Sequence, residues 1–327
     1  MSAQRELSLR FECFGSSCAA FVIGDGRERS AQEALDHVRR SLMEWHGRFS
    51  RFLRSSELSR LNGDPRTEVQ VSPLMARFAE AVVIAGSLTG GLVDATLVDE
   101  ICAAGYAGEL GTPLRLGAAL DLAPARRPAS PRRHGAWQQL EVDLGQGTVR
   151  RPAGVKLDSG GLAKGLFADV LADDLAGHAG FAVNCGGDLL IGGAEAISRP
   201  IHVESPFDGR TLHTFNLQRT GVATSGIGRR AWLDAGGRPA HHLLEPSTGR
   251  PAFTGVVQVT ALAPSALMAE IQAKAAILGG PRSARTWLPH GGVIVLDDGS
   301  YEVVEPPATI TRGRAPALAR QLSRTAT

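Results

Sequence analysis

The sequence predicts an α+β fold. Three observations carry that prediction. Several stretches alternate or are rich in β-branched residues, as in Leu7 to Gly24, Phe181 to Cys185 and Gly255 to Leu262. Others have helical period and open on a capping residue, beginning after Ser30, at Ser72-Pro73 and after Ser265. Glycine pairs then punctuate the ends of both kinds of segment, and the chain has 39 glycines in all. At 327 residues it can bury a substantial core. Residues 1–306 read as one domain and the basic, polar residues 307–327 as a flexible tail.

Taken in order, Leu7 to Gly24 reads as a hairpin broken by Gly15-Ser16-Ser17. Leu35, Val38, Leu42 and Trp45 then share one helix face, and the run from Arg48 to Asn62 reads as a basic helix face, either solvated or meeting phosphates. The helix from Ser72-Pro73 buries Leu74, Phe78, Ala81, Val82 and Ala85 and ends at Gly90-Gly91. Asp94 follows it, either to orient a ligand or to cap a helix beginning at Ala95. Residues 107–136, with four prolines and two arginine pairs, read as a mobile surface excursion. Leu140 to Val149 is a hairpin around Gly145-Gln146-Gly147, and Ile201 to Glu204 and Leu212 to Leu217 are short strands. Ser265 caps a helix with Leu267, Ile271, Ala275 and Leu278 on its core face, and Glu270 and Lys274 are spaced on it for an ion pair. Strands Val293 to Leu296 and Tyr301 to Val304 close the fold.

Composition removes several classes of function. A net charge of +2 and 5% aromatic residues give no basic, base-stacking surface, so no nucleic-acid partner is expected. No run approaches the ~20 apolar residues of a membrane span. Met1 to Arg10 is polar, without the apolar core of a signal peptide, and a cytoplasmic protein is expected. Cys13, Cys18, Cys102 and Cys185 are scattered without metal-ligand spacing and read as reduced thiols. A Ser hydroxyl and a His do not amount to a hydrolase, because there is no GxSxG elbow and no convincing third member.

The chemistry concentrates around Val155 to Asp169, read as a strand ending at Asp158, a Gly160-Gly161 turn and a helix to about Leu175. A helix N-terminus presents free N–H groups and partial positive charge, glycines let a phosphate approach the backbone, and Lys164 adds a full charge. The alternative is a plain strand-to-helix turn with a solvated lysine. A second glycine turn, Gly186-Gly187-Asp188, ends the strand Phe181 to Cys185, so the two turns can line one crevice. Of the adjacent His241 and His242, strand alternation lets at most one face such a site.

The ordered series Phe49-Ser50-x-Phe52 with Ser56-Glu57-Leu58-Ser59-x-Leu61-Asn62, Gly91 to Thr96, Leu157 to Gly165, Asn184 to Asp188, Ala223 to Gly226 and His242 to Pro251 resembles the ApbE family of FAD:protein FMN transferases. The likeness runs from about Leu9 to Leu296, apart from the proline-rich excursion. It implies an α+β fold with a T-fold-like sheet and helix arrangement. It also implies binding of FAD with Mg²⁺ and transfer of FMN to a Ser or Thr hydroxyl of an acceptor protein, with release of AMP. By the same resemblance, Gly160, Gly161 and Lys164 face the diphosphate, with Gly186, Gly187 and Ser225 in the neighbouring turns. Phe52 packs on an aromatic part of FAD, and Asp94, Asp169, Asp188 and Thr224 help hold the dinucleotide. His242 is the implied base or substrate-orienting residue, suited by an ordinary pKa near ~6.5.

The metal site departs from the family pattern. Relatives carry Ala-Asp-x-x-x-Thr, whose Asp and Thr bind Mg²⁺; this chain carries Ala269-Glu270-Ile271-Gln272-Ala273-Lys274. The resemblance leaves Glu270 and the Ala163 backbone as metal ligands, while Lys274 brings an ammonium that cannot coordinate. Two further readings follow: a protein that binds FAD without transferring it, and hydrolysis of FAD to FMN and AMP.

Overall fold

The computed structural model describes residues 5–108 and 113–307, so the tail expected at 307–327 lies outside the described residues from 308 onward. Strands β1 (Glu6–Cys13) and β2 (Ser16–Ile23) make the expected hairpin. Helix α1 (Ala31–Phe49) follows, opened by a capping box between Ser30 and Glu33. Next are α2 (Glu57–Gly63), β3 (Glu68–Gln70), α3 (Pro73–Leu88), α4 (Val98–Ala103) and α5 (Leu116–Asp121). The small hairpin β4 (Glu141–Asp143) and β5 (Thr148–Arg150) leads into α6 (Ala163–Leu175), then β6 (Gly180–Cys185) and β7 (Asp188–Gly192). After these come β8 (Arg199–Glu204), β9 (Thr211–Leu217), β10 (Gly221–Gly226), β11 (Ala231–Leu233) and β12 (Pro239–His241). The chain continues through β13 (Leu244–Glu245), β14 (Arg250–Pro251), β15 (Val256–Ala263), α7 (Ala266–Gly279) and α8 (Pro281–Ala284). It ends in β16 (Gly292–Leu296) and β17 (Tyr301–Val304).

Among the described residues, the main sheet has eight strands in the order β1-β2-β6-β7-β10-β15-β16-β17, every neighbouring pair antiparallel. Side-chain alternation divides the core in two. Phe181, Val183 and Cys185 of β6 join the apolar faces of α1, α3 and α6, with Phe167 packed edge-on against Phe49. Ala182, Ile191 and Val222 instead pack with Val203, Phe215 and Leu217 of the β8–β9 hairpin. Mixed helix and strand around this sheet is the α+β class expected, and no helix among the described residues is long and apolar enough to cross a membrane.

Helices α6 and α7 cap each other where they cross. Asp169 of α6 accepts the N–H groups of Ala266 (2.7 Å) and Leu267 (3.0 Å), the first two residues of α7. Ser265 takes the third, from Met268, at 3.2 Å. In return, Glu270 of α7 accepts the N–H of Gly165 at 2.9 Å, in the first turn of α6, where Leu162 supplies no side-chain cap. Gly165 is required for this approach, because a Cβ there would sit 2.7 Å from the Ala266 carbonyl oxygen and 2.8 Å from the Leu267 backbone.

Four local expectations are corrected. Val155 to Asp158 is extended but pairs with no strand; the Asn62 side chain satisfies the Leu157 backbone on both sides, at 2.8 and 2.9 Å. Arg48 to Asn62 is not one helix face, since α1 ends at Phe49 and Ser56 caps a new helix. Asp94 caps no helix: α4 starts only at Val98, and Asp94 accepts from the Thr96 N–H and hydroxyl at 2.8 and 2.5 Å in a local turn. The proline-rich excursion is docked wherever it is described. Backbone bonds from Arg127 to Phe253 and from Ala129 to Leu278 tie it down, and Arg126–Asp297, Arg127–Glu245 and Arg132–Glu100 ion pairs flank them.

Gly165→Ala and Asp169→Ala each disturb the mutual capping and should lower the unfolding free energy by about 1–3 kcal/mol in chemical denaturation. Wild-type stability in both variants would mean the crossing tolerates separation of the two helices.

Candidate functional site

The two glycine turns, as the sequence suggests, open into one cleft of about 1280 Å³. Its walls include the Asp158 to Lys164 turn, Gly186 and Gly187, Thr224 and Ser225, and His242. At the mouth, Phe52 is 43% exposed and stacks on the Arg51 guanidinium, 4.4 Å from its ring centroid. Tyr106 covers the same guanidinium at 4.5 Å, so Arg51 lies among two rings with one buried nitrogen unpartnered. Asp94 also lines the cleft, and its Oδ2 is buried without a partner within the chain. Burial pushes its carboxyl above the ordinary aspartate range, against the lowering effect of the Thr96 bonds.

The Gly160-Gly161 turn does not present its N–H groups as a phosphate cradle. Residues 159–161 form a single 3₁₀ turn in which Gly160 donates to Asp158 Oδ1 at 3.2 Å and Gly161 to the Asp158 carbonyl at 3.3 Å. At Gly161 a Cβ would crowd the Ala95 side chain, at 3.2 Å from its Cβ. Gly186 and Gly187 have φ of +73° and +103°, values that favour glycine, and they turn β6 into β7. Asp169 does not line the cleft; its two oxygens hold the start of α7, as described above.

The depth of the cleft holds two buried ion pairs. Lys164 Nζ lies 2.7 Å from Asp188 Oδ2 and 3.4 Å from the Gly186 carbonyl oxygen. Neither Asp188 oxygen makes a hydrogen bond of good angular geometry, so this carboxylate is held mainly by charge. Lys274 Nζ lies 2.7 Å from Glu270 Oε1, and Glu270 is fully buried. Burial opposes the charge on Lys164, but Asp188 and Glu270 outweigh it and keep its pKa above the ordinary lysine value. Burial pushes the Glu270 carboxyl upward, with Lys274 and Lys164 pulling the other way. Arg230, also in the lining, adds a third cation within electrostatic reach of Lys164 and His242.

His242 and His241 separate as strand alternation requires. His241 packs edge-on against Phe253 at 4.7 Å, while His242 lines the cleft with a buried, unpartnered Nδ1. Burial pushes the His242 pKa well below the ordinary value, helped by Arg230, His241, Lys274 and Lys164. The expectation of an ordinary value near ~6.5 is therefore corrected: the ring is neutral at neutral pH. Glu245 does not enter the cleft lining. It organises the turn after β13, accepting from Ser247 at 3.1 Å, Thr248 at 2.9 Å and Arg127 at 2.9 Å.

The donor set does not fit Mg²⁺. Both Glu270 oxygens are engaged, one by the Gly165 N–H and one by Lys274, and an ammonium has no lone pair to offer. Among the described residues no three His, Cys, Asp or Glu side chains are placed to hold a metal ion. Ala163 does line the cleft, but the Glu270 carboxylate that would share a metal with its backbone already holds the Lys274 ammonium.

Sequence reasoning missed Arg51, Tyr106 and Arg230. Arg230 was the most findable of them, since Arg229-Arg230 comes three residues after Thr224-Ser225-Gly226, the end of β10.

An antiparallel sheet with a charge-paired cleft at its glycine turns defines an α+β protein. The ApbE family model matches residues 14–296, and the chain belongs to that family. It is similar to an FAD:protein FMN transferase of Rhodobacter capsulatus, 33% identical over 178 residues that span 51% of this chain and a third (33%) of the relative. A Vibrio cholerae protein of the same name is 26% identical and aligns over 85% of this chain and 84% of its own length. The crystal structure of the ApbE protein of Thermotoga maritima superposes with a TM-score of 0.75 at 25% identity, covering 92% of this chain and 97% of that one.

Because the two buried histidines are neutral when folded, an unfolded chain takes up protons below pH ~6.5 that the native chain does not. His241 is pushed down to about 3 by burial, and His242 well below its ordinary value. Stability should fall as pH falls from ~6.5, each histidine contributing about 1.4 kcal/mol per pH unit. Denaturation between pH 7 and pH 5 checks this: His242→Asn should lessen the slope by about one such increment, and an unchanged slope would contradict the assignment.

Proposed function

We propose that this chain is an FAD:protein FMN transferase that holds FAD in the cleft and transfers FMN to a Ser or Thr hydroxyl of an acceptor protein, releasing AMP. The observation that carries the reading is that motifs from six separated parts of the chain meet in one cleft, within a chain that matches the family over residues 14–296. The cleft exceeds the ~300–1,000 Å³ of ordinary small-molecule pockets. That size suits a dinucleotide together with an incoming side chain.

In this reading the acceptor oxygen attacks the FMN phosphorus, a new P–O bond forms, and the bond to the bridging oxygen breaks so that AMP departs. The acceptor hydroxyl proton needs a base, and His242 is neutral and in the cleft lining. Lys164 and Arg230 lie where negative charge on the diphosphate is offset. Gly186 and Gly187 bring backbone rather than side chain to the cleft wall, and Thr224 and Ser225 supply hydroxyl groups beside them. Asp188 fixes Lys164, and so acts on the ligand through that lysine. Asp94 Oδ2 offers a buried hydrogen-bonding atom, and the Phe52 ring, backed by Arg51, offers an aromatic face. No step is assigned to Mg²⁺.

Incubation of the purified protein with FAD and a peptide bearing a flavinylation sequence tests the reading. Covalent fluorescent flavin on the peptide, with one AMP released per flavin attached, is the expected result, and His242→Asn should lower the transfer rate by about 10²-fold or more. Intact FAD retained without AMP would make the protein a flavin carrier. AMP with free FMN would make it a hydrolase of the same diphosphate bond.

A further inference from the structure

We propose that the Lys274 ammonium is a built-in counter-cation for the ligand diphosphate, so that this cleft binds a flavin dinucleotide without a divalent metal. The inference rests on the flavin reading above and goes beyond it by replacing the ion the family pattern implies.

Four observations carry it. Lys274 lines the cleft yet its side chain is only 10% exposed, so its charge is neither solvated nor free to swing away. Glu270, one helical turn earlier on α7, fixes the ammonium at 2.7 Å and is itself anchored to the first turn of α6 by the Gly165 N–H. Held in this way, the lysine is part of the α6–α7 crossing rather than a flexible surface group.

The remaining two concern charge and donor chemistry. Lys164, Lys274 and Arg230 together outnumber the carboxylates of Asp188 and Glu270, leaving positive charge for an anion to neutralise. An ammonium also has three N–H donors, of which Glu270 takes one, so donors remain for phosphate oxygens. A divalent ion placed beside Lys274 would meet like charge at close range, on a carboxylate that already receives the Lys274 ammonium and the Gly165 N–H. The same atoms that exclude the metal therefore supply its positive charge.

Calorimetric titration of FAD into the full-length protein, in EDTA and again in millimolar Mg²⁺, tests this. The expected result is an FAD Kd that agrees within about threefold between the two conditions, with no heat when Mg²⁺ alone is added. Lys274→Met should weaken FAD binding in EDTA about tenfold or more. Riboflavin, which has no phosphate, should bind wild type and Lys274→Met alike. The double variant Glu270→Asp, Lys274→Thr should bind FAD weakly in EDTA and regain affinity with Mg²⁺.

Wild-type binding of FAD that requires Mg²⁺ would overturn the counter-cation while leaving the flavin reading in place. Failure of FAD to bind under both conditions would overturn the flavin reading itself, and the counter-cation with it. Should a lysine variant not fold, as judged by its circular dichroism, the wild-type comparison in EDTA and Mg²⁺ decides the matter alone.

Discussion

The crossing of α6 and α7 is the constraint on which the site depends. Each helix has an N-terminus that its own preceding residues do not fully cap, and each receives a carboxylate from the other, Asp169 in one direction and Glu270 in the other. Such an arrangement needs the backbones close together, which is what Gly165 permits. It also sets the chemistry of the cleft. Lys164 is in the first turn of α6 and Lys274 one turn beyond Glu270 on α7, so mutual capping fixes the distance between the two buried ammonium groups and the sheet beneath them.

Buried ion pairs are poor investments for stability alone, since desolvation of each charge costs several kcal/mol and a hydrophobic replacement is often as stable. Two such pairs side by side, facing a cleft, point to a use beyond folding. The geometry at Asp188 agrees: its carboxylate is 1% exposed and poorly hydrogen-bonded, held close to Lys164 by charge. His242 belongs to the same electrostatic unit. Burial chiefly keeps this imidazole unprotonated, and the cations assigned above to the diphosphate add to the effect.

Much of this was legible in the sequence, for identifiable reasons. The helix starts at Ser30, Ser72 and Ser265 are local chemistry, a hydroxyl accepting from an N–H three residues on, and each was readable directly. The spacing of Glu270 and Lys274 likewise predicted their ion pair. What failed depended on contacts that residue spacing does not display, most of them with partners distant in sequence. Asp169 was taken for a ligand residue because nothing near it reveals that it faces the start of a helix 97 residues away. The Gly160-Gly161 turn was given a phosphate-binding role, yet Asp158 already occupies its N–H groups. Prolines in the 107–136 region signalled an irregular, mobile excursion, yet its described residues carry α5 and are anchored by arginine ion pairs and isolated backbone bonds. The lowered His242 pKa comes first from burial in the cleft and then from Arg230, Lys274 and Lys164 on other parts of the chain, none of which can be read from the residue itself.

The central claim is that the diphosphate of the ligand is received by lysine at the α6–α7 crossing. A crystal structure of the FAD complex grown in the presence of EDTA tests it most directly. The account predicts diphosphate oxygens within hydrogen-bond distance of Lys274 Nζ, the Glu270–Lys274 pair retained and no metal density between them. A diphosphate bound away from Lys274, or bound through a metal ion that has displaced the lysine from Glu270, would contradict it.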